Sequence, residues 1–160
     1  MIYNVKFLVD AMLGTLAKKL RIYGFDTLYA KDMNDSELIE LAISESRILV
    51  TSDRVLGKKC SSKGGSCVVA VGRDDTERIA EVFRFISVNP VLDSSNSRCP
   101  ICNGALVEVD GSKIDEVIPK ATAKRYNRFF MCKECKKVYW EGSHWAKLRE
   151  FDRRVRGYLG

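Results

Sequence analysis

Residues Arg47–Leu56 read RILVTSDRVL. Ile48, Leu49 and Val50 are branched and apolar, the composition of a strand buried on both faces. They run directly into Thr51, Ser52, Asp53 and Arg54. A run built for burial that ends in hydroxyls and a carboxylate fits an open α/β sheet, where ligands bind outside the carboxyl ends of parallel strands. The flanking sequence repeats the pattern. Val5–Val9 is a short apolar run ending at Asp10. Leu13, Leu16, Ala17 and Leu20 follow at helical spacing, with Lys18, Lys19 and Arg21 on the other face and Gly24 as a stop. Phe25–Ala30 is the next strand. A helix then starts near Asn34 or Asp35, with Glu37 placed for a capping box with Asn34 and a buried stripe of Leu38, Ile39, Leu41 and Ala42. Cys67–Val71 is a further strand. Ile79, Ala80, Val82, Phe83 and Ile86 line one face of a helix beginning near Asp75. The Lys/Ser/Gly-rich stretch Gly57–Ser66 reads as a mobile loop, and Val91–Ser97 as a linker. The predicted fold class is α/β, a parallel sheet covered on both faces over residues 1–93, followed by a distinct module over 94–160.

Three carboxylates fall at one rim of such a sheet. Asp10 ends the first strand, Asp53 lies just past the third, and Asp35 opens the helix after the second. Clustered carboxylates repel and call for a cation, and hard oxygen ligands select Mg²⁺ or Mn²⁺. Such a site activates water and stabilises the leaving oxygen of a phosphodiester. Plainer roles compete with this one: Asp35 as a helix cap, Asp53 as a turn opener, Asp74 and Asp75 as caps of the last helix.

The second half has a different chemistry. Cys99 and Cys102 (RCPICNG) and Cys132 and Cys135 (MCKECKK) form two C-x₂-C pairs separated by 29 residues. In a chain whose first ten residues do not read as a secretory signal, this is a four-thiolate zinc site, closed and therefore structural. The gap predicts an extra hairpin or loop. Cys60 and Cys67 lack a second pair, and Cys67 reads as a small buried residue. Residues 1–93 carry 13 Lys/Arg and 13 Asp/Glu, whereas residues 94–160 carry 14 and 8, so the whole excess of +6 sits in the cysteine module. A basic module beside a neutral one points to a polyanion, most often nucleic acid, with a solvated basic face as the alternative. Arg125, Arg128, Lys133, Lys136 and Lys137 are its expected phosphate contacts, together with Arg54 at the rim. Most of the interleaved aromatics, from Tyr126 to Phe151, are assigned to the module's own core. The lone His144 is open to three roles, base contact, proton carrier or structural hydrogen-bonder, of which the sequence favours the last. No apolar run approaches the roughly 18 residues of a membrane span. The expectation is a soluble, cytoplasmic protein.

The runs FLVDAMLGTLAKKLRIYGFDTLY, NDSELIELA, RILVTSDRVL, RCPICNG and CKECKKVYWEGSH resemble the Mut-seven-C RNase domain family, in which a PIN-like nuclease domain is fused to a C-terminal zinc ribbon. The resemblance extends from about Lys6 to His144, and the tail after Trp145 is outside it. It implies a PIN-like three-layer α/β/α fold and metal-dependent ribonuclease activity. Asp10, Asp35 and Asp53 match the family's acidic site residues, and the four paired cysteines match its zinc ligands. Its fourth acidic position has no clear counterpart, with Asp74 and Asp75 nearest. Ser52 stands where the family often has a basic residue, and the second knuckle lacks the usual glycine after its last cysteine. RNA, including ribosomal or transfer RNA, is the implied partner. A non-catalytic zinc-ribbon RNA-binding protein with a silent PIN-like domain is the alternative.

Overall fold

The computed structural model of the protein describes residues 3–160. Met1 and Ile2, the start of the stretch read as lacking a secretory signal, lie outside them. Four strands, β1 (Lys6–Asp10), β2 (Asp26–Ala30), β3 (Ile48–Thr51) and β4 (Cys67–Val69), form an all-parallel sheet in the order β2-β1-β3-β4. Helices α1 (Gly14–Ile22), α2 (Asp35–Ser44), α3 (Arg54–Ser62) and α4 (Asp75–Ile86) connect the strands and follow the last. Alternate residues of one strand point to opposite faces. Phe7 and Val9 accordingly pack with Leu16, Leu20, Ile79 and Phe83 from α1 and α4. Leu8 and Leu49 pack with Leu38, Ile39, Leu56 and Cys60 from α2 and α3.

Local chemistry sets the helix ends. Asn34 Oδ1 accepts from the Glu37 amide at 2.9 Å, which is half of the expected capping box, while Glu37 Oε1 accepts from the Asn34 side-chain amide at 2.7 Å in place of the backbone amide. Gly24 closes α1 at φ +104°, a conformation that favours glycine, and a Cβ there would meet the Asn96 carbonyl oxygen at 2.8 Å.

Gly57–Ser66 is not a mobile loop: its first six residues belong to α3, capped by Asp53. The buried side of α3 consists of Leu56, Gly57 and Cys60, which are too small to show as an apolar stripe, while Lys58, Lys59, Ser61 and Ser62 face water. Gly57 lets α3 approach the sheet, since a Cβ there would lie 2.6 Å from Val69 Cγ2. Val91–Ser97 is docked rather than free. Asp93 caps a short turn over Ser94–Asn96, and buried Ser97 donates to the Ile22 carbonyl at 2.6 Å.

The second half holds β5 (Leu106–Val109), β6 (Phe129–Cys132) and β7 (Val138–Trp140) in an antiparallel sheet of that order, with α5 (Lys120–Arg125) inside the gap between the cysteine pairs. Ile114, Ile118 and Phe129 are its small core, with Tyr126 and Trp140 against it. The basic tail is α6 (Ser143–Leu159), and it packs on α4. Val155, Phe151 and Leu159 join the Phe7–Val9 cluster, so Phe151 serves the parallel sheet's core rather than the cysteine module's. Tyr23 donates to Asp152 at 2.6 Å across the same seam.

Arg21 does not face solvent but is buried. Its Nε donates to the Thr27 carbonyl at 2.9 Å, and its Nη1 donates to Pro100 O at 2.8 Å and Ile101 O at 3.3 Å. Carbonyls from the edge strand and the first cysteine turn compensate its burial. Asn103 completes the clamp: its Oδ1 accepts from the Thr27 amide at 3.0 Å and its Nδ2 donates to Asp26 at 2.8 Å. Asp26 also receives Arg47, the first residue of the stretch quoted above, at 2.9 Å. Burial would raise the Asp26 carboxyl, but hydrogen bonds from Arg47 and Asn103 outweigh it and hold the group below its ordinary value. That stabilisation is complete above the ordinary carboxylate range and is lost as pH falls through the folded-state value. Arg21→Met keeps the aliphatic bulk and leaves three carbonyls short of a donor, so it is expected to cost about 2–4 kcal/mol, read as a lower urea midpoint with unchanged slope. A wild-type midpoint would show that the clamp is incidental.

Candidate functional site

Asp10, at the end of β1, is 7% exposed. Its Oδ1 accepts from the Met12 amide at 2.9 Å, and its Oδ2 accepts from the hydroxyl of fully buried Thr51. The Thr51 oxygen in turn accepts from the Asp53 amide at 3.0 Å. One hydroxyl at the end of β3 therefore fixes the Asp10 carboxylate and the backbone that carries Asp53. Asp53 caps α3, its Oδ1 accepting from Val55 N at 2.9 Å and Leu56 N at 3.2 Å. The run of branched residues ends in polar groups because the strand ends there: Thr51 ties the tip to its neighbour and Asp53 starts the next helix.

Asp35 lies in the first turn of α2, where Asn34, not Asp35, is the cap. It is about half exposed and pairs loosely with Lys59 of α3 at 3.9 Å. The strand order places all three aspartates at the carboxyl ends of the parallel strands. They do not crowd together. Among the described residues, the one group of three or more ligand atoms within 4.8 Å of each other is the cysteine set. Of the two aspartates opening α4, Asp74 caps the helix and pairs with Arg154 at 3.0 Å. Asp75 reaches α1 instead, accepting from Thr15 Oγ1 at 2.6 Å. Arg54 is exposed at the start of α3.

The sulfurs of Cys99, Cys102, Cys132 and Cys135 all lie within 4.8 Å of one another. Cys99–Cys135 is 3.7 Å and Cys102–Cys132 is 3.4 Å. Four thiolates at the Zn–S distance around one ion would stand about 3.8 Å apart, so the set can hold a metal such as zinc. Two like-built turns supply them. In the first, the Asn103 amide donates to Cys99 O and the Cys99 amide to Gly104 O. In the second, the Lys136 amide donates to Cys132 O and the Cys132 amide to Lys137 O. Asn103 and Lys136 occupy matching left-handed positions, φ +71° and +66°, so Lys136 takes the conformation that a glycine would adopt without strain.

Tyr139 on β7 is a partner that pattern reading assigned only to the core. Its hydroxyl lies 3.0 Å from Cys99 Sγ. Burial pushes the Cys99 thiol up, but hydrogen bonds from Tyr139 and from the Cys102 and Ile101 amides outweigh it and bring the thiol down to about 7. At Cys102 the Gly104 amide favours the thiolate, yet sharing with the Cys132, Cys135 and Cys99 sulfurs pushes the thiol up to about 12. Thiolates that ionise at one another's expense are relieved by a divalent cation. Cys67, outside this set, is pushed up to about 12 by burial, consistent with a packing role.

Lys133, Lys136 and Lys137 are exposed around the second turn. Arg125 lies over the Tyr126 ring at 5.6 Å. Arg128 is engaged, pairing with Glu108 at 2.9 Å and lying over Phe130 at 5.2 Å. Among the described residues, no helix is long and apolar enough to cross a membrane.

The family described as Mut7-C RNAse domain matches residues 5–152, nearly the whole chain. No curated protein and no solved structure matches it. With an α/β sheet carrying carboxylates at its rim, a four-cysteine centre behind it and this match along its length, the chain belongs to the Mut7-C RNAse domain family.

Proposed function

We propose that the protein is a metal-dependent ribonuclease, an endonuclease of PIN-like three-layer architecture. In this reading residues 1–93 form the nuclease domain, and residues 94–160 form a zinc ribbon with a basic tail that binds RNA. The observation that carries it is the coupling of Asp10 to the Asp53 backbone through Thr51 at the carboxyl edge of a parallel sheet. Asp10, Asp35 and Asp53 would hold Mg²⁺ or Mn²⁺, and a bound ion there would polarise the phosphodiester and activate water. The chain's own groups do the positioning. Thr51 holds Asp10 in one rotamer, Arg54 offers a donor to the phosphate, and Asp75 is better placed than Asp74 as a fourth carboxylate because it turns toward α1. The four cysteines hold a structural zinc. Lys133, Lys136, Lys137 and Arg125, with Arg128 once released from Glu108, meet the phosphates of a structured RNA, ribosomal or transfer RNA among them, in the cytoplasm.

The test is cleavage of labelled structured RNA by the purified chain, with and without added Mg²⁺ or Mn²⁺. Discrete products that require the ion are expected. Salt-sensitive binding without cutting under either ion would favour the second reading, a non-catalytic zinc-ribbon RNA-binding protein. Asp35, about half exposed and paired loosely with Lys59 rather than tied to Asp10 or Asp53, supports that second reading.

A further inference from the structure

The family's YWEGSH run is not used by the cysteine centre or the carboxylate rim, apart from Tyr139. It lines a pocket between the antiparallel sheet and α6. Phe130, Tyr139, Trp140 and Trp145 form aromatic walls around a cavity of about 90 Å³. That is roughly six times the space a single water needs, and the pocket is open to solvent on one side, so a flat ring can enter it edge first. Arg98, Glu141 and His144 supply its polar groups. Arg98 and Glu141 are set in place, whereas His144 is exposed and its ring makes no hydrogen bond among the described residues, so the structural bond expected of it is not made. Arg98 Nε donates to the Asn103 carbonyl at 3.1 Å, and Glu141 accepts from Ser94 Oγ at 2.6 Å and from Arg149 at 3.3 Å. A purely apolar ligand would leave these groups unmatched, and a small anion would meet Glu141.

A second groove begins where this pocket ends. His144 and Leu148 line both, and the second, of about 310 Å³, is bordered by Lys19, Lys147 and Arg154, with Glu150 the one acidic group in its lining and already paired with Arg153 at 2.6 Å. Arg154 pairs with Asp74, one residue from Asp75 at the carboxylate rim. An aromatic slot for a flat ring thus opens beside a basic track that leads toward the rim.

We propose that the pocket takes one unstacked base of a single-stranded RNA segment, while the adjoining phosphates run along Lys19 and Lys147 toward the rim. The proposal rests on RNA being the substrate. Aromatic faces and a guanidinium plane are the usual platform for an unstacked base, and a fixed donor and acceptor can meet its edge. A peptide could fill an aromatic slot, but the neighbouring basic groove favours a polyanion.

The chain's only two tryptophans, Trp140 and Trp145, both line this pocket, so a ligand seated in it is read by intrinsic tryptophan emission. The experiment titrates the full, zinc-loaded chain, without Mg²⁺ or Mn²⁺, with end-labelled oligouridylate and with an abasic ribose-phosphate chain of equal length. Tryptophan emission and label anisotropy are followed together. Oligouridylate is expected to quench saturably, and the abasic chain to raise anisotropy without quenching. Trp145→Leu, which touches only the base pocket of the two, is expected to weaken oligouridylate about tenfold and leave the abasic chain unchanged, and His144→Ala, at an exposed position shared with the basic groove, to weaken oligouridylate about tenfold. RNA binding with no quench, equal for wild type and His144→Ala, overturns the pocket while RNA remains the partner. No anisotropy change with either oligomer overturns both the pocket and the RNA reading.

Discussion

If the four cysteines hold the proposed zinc, Cys132→Ser is expected to release it and unfold the antiparallel sheet. Cys132 is fully buried and ends β6, and its sulfur lies 3.4 Å from Cys102 and also accepts from the Cys135 amide at 3.5 Å. A hydroxyl there is a poor zinc ligand. The remaining buried side chains of this unit are few: the cluster of Ile114, Ile118 and Phe129, with partial cover, and Phe130 on the other face of β6. So small a core does not sustain a fold without a staple. Binding of a structural zinc is worth roughly 10–16 kcal/mol in small zinc modules, and much of that is folding energy. Metal content per chain should fall from one to near zero, with loss of strand signal in circular dichroism. The parallel sheet should also melt earlier, because Asn103 of the first cysteine turn occupies the outer edge of β2. Cys67→Ser is the control and should keep the metal. A Cys132→Ser chain that retains one zinc and its strand signal would refute the four-cysteine centre.

The parts of the fold legible in the sequence are those whose signal is local. The strands are near-continuous apolar runs, and the cysteine turns announce themselves by spacing. What periodicity misreads is burial that depends on distant partners. Arg21 sits among lysines on α1, and only Thr27 O, Pro100 O and Ile101 O make its burial tolerable. The last two lie about 80 positions away in the chain. Helix α3 was obscured for the opposite reason: its contact face is a glycine, a cysteine and one leucine, so the lysines and serines around them dominate the composition. The tail's fate as α6 rests on Val155, Phe151 and Leu159, whose helical spacing is clear only once α4 is there to receive them. At the rim, strand-end logic places Asp10 and Asp53 at the carboxyl edge, and the capping that competes with the proposed role of Asp53 occupies only one of its oxygens. Asp53 uses Oδ1 for the helix, and its Oδ2 makes no hydrogen bond among the described residues.

That division of labour makes Asp53→Asn an informative variant. Asparagine is as good a helix cap as aspartate, so α3 should keep its start and thermal stability should change little. The negative charge, which the proposed ion requires, is lost. Under the ribonuclease reading, cleavage with Mg²⁺ or Mn²⁺ should fall by about 10²–10³-fold, while RNA affinity stays within about twofold because the phosphate contacts lie elsewhere. Thr51→Val separates positioning from ligation. It keeps shape and burial but removes the donor to Asp10 Oδ2 and the acceptor for the Asp53 amide. It should cost about 1–3 kcal/mol of stability and lower cleavage about tenfold to hundredfold, with kcat affected more than KM. Serine at the same position restores the hydroxyl, so Thr51→Ser should recover most of the rate, which a merely structural role for the methyl group would not predict. Should Asp53→Asn cut at the wild-type rate in preparations of equal purity, the rim is not the catalytic centre, whatever the family. If Thr51→Val alone retains full activity, Asp10 and Asp53 are held in place by other means, and the hydroxyl bridge serves only to end the strand.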